Sequence, residues 1–61
     1  MNLLDEFYEN MPDTKAKKVL FGIMNNLTDR RGLSQEWDAI DPDVKNEMLI
    51  TWLEIIEVGM K

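Results

Sequence analysis

Asp41-Pro42-Asp43 is the segment that most constrains the fold, because it combines three helix-start signals in three residues. Asp41 suits an N-cap, proline is tolerated best at the first helical position, and an acid behind it complements the positive end of the helix dipole. The helix that opens there is predicted to run over about residues 42–58. Val44, Met48, Trp52, Ile55 and Ile56 form its central stripe, flanked by Leu49, Leu53 and Met60. The apolar arc covers about half of the helical wheel, wider than the ~100° stripe of an ordinary surface helix. Ile50 and Val58 lie outside it, on the otherwise polar side.

Two further helices precede this one. Asn2 is placed to cap the first, with Asp5 in its first turn, and Leu3, Leu4, Phe7, Tyr8 and Met11 recur at helical spacing. Pro12 breaks that pattern, which predicts a helix over about 2–11. Asp13 is a candidate cap for the second, predicted over about 14–29. Its apolar face holds Ala16, Val19, Leu20, Ile23, Met24 and Leu27, with Phe21 at the edge. Gly32 suits the left-handed residue just past its end, where Arg30 and Arg31 would complement the negative pole of the dipole. Ser34 is a candidate cap for a short helical turn at 34–40, in which Trp37 and Ile40 face inward. No run alternates apolar and polar residues as a strand does, so the expected fold is all-α: a bundle of three helices, with that turn as a candidate fourth element. All 61 residues form a single domain.

A chain this short sits near the lower limit for a self-sufficient core and usually needs a disulfide, a metal or a partner subunit. Cysteine and histidine are both absent. That excludes a disulfide framework and a thiolate metal site, and removes the commonest general base and transition-metal ligand. Association is the staple left open. The wide last helix supplies a surface for it, with Trp52, Ile55, Ile56, Leu49, Leu53 and Ile50 as candidate interface residues of a homo-oligomer, most simply a dimer. Met11, Met24, Met48 and Met60 fall on apolar faces and read as core filler. Gly59, near Met48 and Trp52 on the wheel, is placed either to allow close helix approach or to mark fraying at the helix end.

The net charge of −5 is uneven. Residues 1–32 balance five acids against five bases, whereas residues 33–61 hold seven acids against Lys45 and Lys61. A chain without a continuous basic stripe is repelled by a nucleic-acid backbone, so no direct nucleic-acid binding is expected. The longest apolar run, from Val19 to Met24, is far too short for a membrane span, and the N-terminus lacks a signal-peptide pattern. The expectation is a cytoplasmic protein with no membrane contact.

Catalysis fails by elimination. Ser34 reads as a cap with no lysine motif, the threonines have no histidine, and the three glycines are isolated rather than clustered into a phosphate-binding loop. Glu36, Asp38, Asp41, Asp43 and Glu47 offer oxygen ligands, but their spacing lacks the glycine and terminal glutamate of a calcium loop. The expectation is no enzyme activity, no metal and no cofactor. Among the bases, Lys15, Lys17 and Lys18 crowd the start of the second helix, where the dipole disfavours cations unless Glu9, Asp13 or a docked anion offsets them. Arg30 and Arg31 lie roughly 20 Å further along at ~1.5 Å per residue. Across a dimer interface these clusters could converge on an anionic nucleotide, with Trp37, Tyr8 or Trp52 stacking on its base. Lys15, Lys18, Arg30, Arg31, Trp37 and Tyr8 are therefore candidate ligand or partner contacts. The plainer reading makes the lysines a solvated face and pairs the arginines with Glu36 or Asp38.

Thr28-Asp29-Arg30-Arg31-Gly32-Leu33, then Gln35-Glu36-Trp37-Asp38 and Ile40-Asp41, then Trp52 and Ile55-Ile56, resemble short uncharacterised proteins of phage and prophage genomes. The resemblance covers about residues 24–57. It implies a small helical accessory protein that binds a host protein, such as a defence component, and inhibits it. Sequestering a signalling nucleotide in an inter-subunit pocket is the alternative, and a structural or self-assembly role a third.

Overall fold

The computed structural model describes residues 2–60, which form four helices: α1 (Leu3–Glu9), α2 (Lys15–Thr28), α3 (Arg31–Asp38) and α4 (Pro42–Gly59). There is no strand among them, so the protein is all-α. The candidate short turn at 34–40 is instead a helix that starts three residues earlier and ends two sooner. The described residues extend 33 × 21 × 20 Å.

Side-chain caps set the starts of α1 and α2, whereas Arg30 and Asp41, at the N-cap positions of α3 and α4, make no side-chain cap bond. Asn2 caps α1, its Oδ1 accepting from the Asp5 N–H at 3.1 Å. The helix closes at Asn10, which adopts the left-handed conformation (φ 55°, ψ 48°) that asparagine tolerates better than most residues. The Asn10 and Met11 N–H groups then donate back to Phe7 and Glu6 carbonyls. The helix therefore stops short of Met11, which is left exposed. Thr14, not Asp13, caps α2, its hydroxyl accepting from Lys17 N–H at 3.2 Å.

The break between α2 and α3 corrects the sequence expectation most clearly. Asp29 keeps helical dihedrals, and the single extended residue Arg30 (φ −93°, ψ 120°) redirects the chain. Its carbonyl accepts from Ser34 N–H at 2.8 Å and opens α3. No glycine among the described residues has positive φ, and Gly32 lies inside α3. Ser34 is likewise in the body of α3 rather than at its cap. A corner made by one extended residue needs no left-handed position, so the glycine was a misleading mark.

The core comprises Leu3, Leu4, Phe7, Ala16, Leu20, Phe21, Met24, Trp37, Leu49 and Leu53. Helix α4 is its spine, packing on both α1 and α2, while α3 leans on α2. The buried line of α4 is Lys45, Leu49 and Leu53. Val44 and Ile55, expected in its central stripe, are exposed, and Ile50, expected on the polar side, is half-buried against the core. An arc half a helix wide permits several centres, and the positions of α1 and α2 select one of them. Trp37 joins α3 to α4: its ring stacks on Trp52 with centroids 6.4 Å apart, and Lys45 Nζ lies 5.5 Å from its centroid. The Lys45 stem is thereby buried while its ammonium faces an aromatic ring.

Candidate interaction face and aromatic cleft

Helices α2 and α4 pack together, with Leu20 and Leu53 both in the shared core, yet leave their outer edges apart. The gap is an apolar groove of about 210 Å³ lined by Leu20, Ile23, Trp52, Ile55 and Ile56. Leu20 forms its floor, being only 1% exposed, while Ile23 is 55% exposed and Ile55 62% exposed. Val19 on α2 and Val58 on α4 are also exposed. A second shallow depression, lined by Thr51, Glu54, Ile55 and Val58, continues from the groove along α4 through the shared Ile55. Isolated exposed aliphatic residues are ordinary, but a contiguous set at the mouth of a groove has the form of a recognition surface.

The candidate interface residues divide across this surface. Trp52, Ile55 and Ile56 line the groove. Leu49 and Leu53 are committed to the core, and Ile50 packs on it from the other side. Val19, Ile23 and Val58 complete the face. On α2 the sequence could not distinguish Ile23 from Met24, since both lie on one apolar arc and only packing decides which is covered.

A separate cleft of about 390 Å³ is lined by Phe7, Tyr8, Asn10, Asn25, Thr28, Trp37 and Asp38. It brings two of the candidate ligand-binding residues, Tyr8 and Trp37, to one place. Trp37 is 3% exposed, and its indole N–H has no hydrogen-bond partner among the described residues. A buried donor left so costs about 1–3 kcal/mol. The lining holds no lysine or arginine and does hold the Asp38 carboxylate, a poor environment for a phosphate.

The bases lie elsewhere. Lys15 and Lys18 are exposed on α2. Between them, Lys17 is turned inward, with Nζ 2.7 Å from Glu6 Oε1 and 2.9 Å from Asp13 Oδ1. The hydrogen bonds that the Lys17 ammonium donates to both carboxylates, Glu6 first, raise it above its ordinary 10.5, and the same bond to Asp13 holds that carboxyl below its ordinary 3.8. Glu6 and Asp13, rather than Glu9, offset the lysine charge. Arg30 Nε donates to Asn26 Oδ1 at 3.2 Å. Among the described residues the ion pairs are both made by Lys17, so neither arginine pairs with Glu36 or Asp38.

Among the described residues no group of three or more carboxylates is placed to hold a metal ion. No helix there is long and apolar enough to cross a membrane. No protein-family model, curated protein or solved structure matches the chain.

Proposed function

We propose that this protein is a non-enzymatic binding module that acts through the apolar face formed by α2 and α4. The observation that carries this reading is the groove between Ile23 and Ile55, open to solvent and lined by apolar side chains. Burying such a surface against a partner stabilises a complex by roughly 25 cal/mol per Å² of apolar area, less the cost of association. The phage resemblance supplies the setting: the partner is a host protein, and occupying its surface blocks it. The alternative, sequestration of an anionic nucleotide in a pocket between subunits, draws less support, because the cleft that joins Tyr8 and Trp37 is lined by no lysine or arginine of the same chain.

Site-specific photocrosslinking in expressing cells tests the proposal. A photoreactive side chain at position 55 or 58 should give the same discrete protein adduct, and one at position 38 or 10 should not. Equal labelling from both surfaces would sink the assignment. Thermal melts with mononucleotides and cyclic dinucleotides test the alternative, since a ligand bound to the native state must raise Tm.

A further inference from the structure

The exposed apolar residues of α4, Val44, Ile55 and Val58, fall on one line with the half-buried Met48 and the polar Thr51. Val44, Met48, Thr51, Ile55 and Val58 follow one another at intervals of four, three, four and three. That is the heptad spacing of a helix–helix seam. Val44, Thr51, Ile55 and Val58 are exposed and Met48 is half-buried, whereas the core-facing line is Lys45, Leu49 and Leu53. The seam is thus a second face of α4 that the fold leaves largely uncovered, only Met48 being partly packed on the core. It spans about 21 Å at ~1.5 Å per residue, enough for three turns of an opposing helix.

Its two flanks differ. Toward α2 the seam is bordered by Trp52 and, across the groove, Ile23. Along the other edge run Glu47 and Glu54, seven residues apart and both exposed. In a two-helix seam these are the positions whose charges choose the partner. The last turn of α4 adds no basic residue at the negative end of its dipole. Resting on the binding-module reading above, we infer that the occupant of this face is an amphipathic helix of another protein, apolar along its seam and carrying lysine or arginine along the edge that meets Glu47 and Glu54. A second copy of this chain fits less well. An antiparallel pair would set Glu47 of one copy against Glu54 of the other, twice over, and a parallel pair would give those carboxylates no cation.

Two synthetic helices of about three heptads, each with leucine along the seam, test this; one carries lysine at the flanking positions and the other glutamate. Titrated into the intact protein and followed by calorimetry, the lysine peptide should bind at least tenfold more tightly. The double variant E47K/E54K should reverse that preference, whereas D5K/E9K, which changes the net charge equally on α1, should not. Ile55→Asp, at an exposed position and with its helix content checked by circular dichroism, should abolish binding of both peptides. Equal binding of the two peptides, still lost in Ile55→Asp, would overturn the charge inference while leaving the face in place. Binding unaffected by Ile55→Asp, or by neither peptide at all, would overturn the face as well. Light scattering that shows twice the 7.2 kDa chain mass, reverting to monomer in Ile55→Asp, would assign the face to a second copy instead.

Discussion

The Asn46 side chain, in the second turn of α4, caps the start of α1: its Oδ1 accepts from Leu3 N–H at 2.8 Å and from Leu4 N–H at 3.2 Å. With Asn2 accepting from Asp5 N–H, three of the four free donors at the α1 N-terminus are satisfied by side chains. A seven-residue helix is too short to persist alone, so its stability comes from this tie and from burying Leu3, Leu4 and Phe7.

Asn46→Ala should therefore destabilise the protein by about 1–2 kcal/mol, the usual effect of losing a helix cap. For a domain of this size each kcal/mol lowers Tm by roughly 4–8 °C. Asn46→Asp keeps an acceptor at the positive end of α1 and should retain most of the stability. Thermal denaturation followed at 222 nm distinguishes them, and equal losses in both variants would refute the capping role.

Gly32→Ala and Gly22→Ala should each stabilise by about 0.5–1 kcal/mol, the helix-interior difference between the two residues. A Cβ added at either position meets nothing within 4 Å, and neither glycine has positive φ. Gly32 is the sharper test. Were it the left-handed residue that ends α2, alanine there would lower the urea midpoint instead of raising it.

The Lys17 cluster makes stability pH-dependent at both extremes. Asp13 is held below 3.8 in the folded state, so its contribution is complete above that value and fades as pH falls through it. Lys17 is raised above 10.5, so its contribution is complete below that value and is lost as pH rises through the folded pKa. Lys17→Met should remove both dependences, leaving a stability difference from the parent that is flat near neutrality and shrinks at acid and alkaline pH. A difference constant from pH 3 to 11 would show that the ion pairs contribute nothing.

Lys45 separates stem from charge. Lys45→Met preserves the buried aliphatic stem over Trp37 and should cost no more than about 2 kcal/mol, the size of a desolvated cation–π contact. Lys45→Ala removes the stem as well and should cost about 1–2 kcal/mol more. Guanidinium unfolding monitored by tryptophan emission measures both, and identical losses would mean that the charge, not the stem, matters.

Much of this was legible in the sequence. Helical spacing of apolar residues marked an all-α chain, Asn2 and Pro42 marked the starts of α1 and α4, and Trp37 was placed facing inward. These are local matters, decided by backbone dihedrals, capping groups and periodicity within one or two turns. The heptad spacing from Val44 to Val58 was equally present, but spacing alone does not say which of two apolar stripes turns inward.

Tertiary structure decided the rest. It chose Leu49 and Leu53 for the core and left Val44 and Ile55 outside, because α1 and α2 can cover only one side of a helix that is apolar around half its circumference. It brought Asn46 to Leu3 across 43 positions of sequence and Glu6 to Lys17 across 11. It also turned the chain at Arg30 without calling on Gly32. Those outcomes depend on which surfaces meet after collapse, which no local window of the chain records.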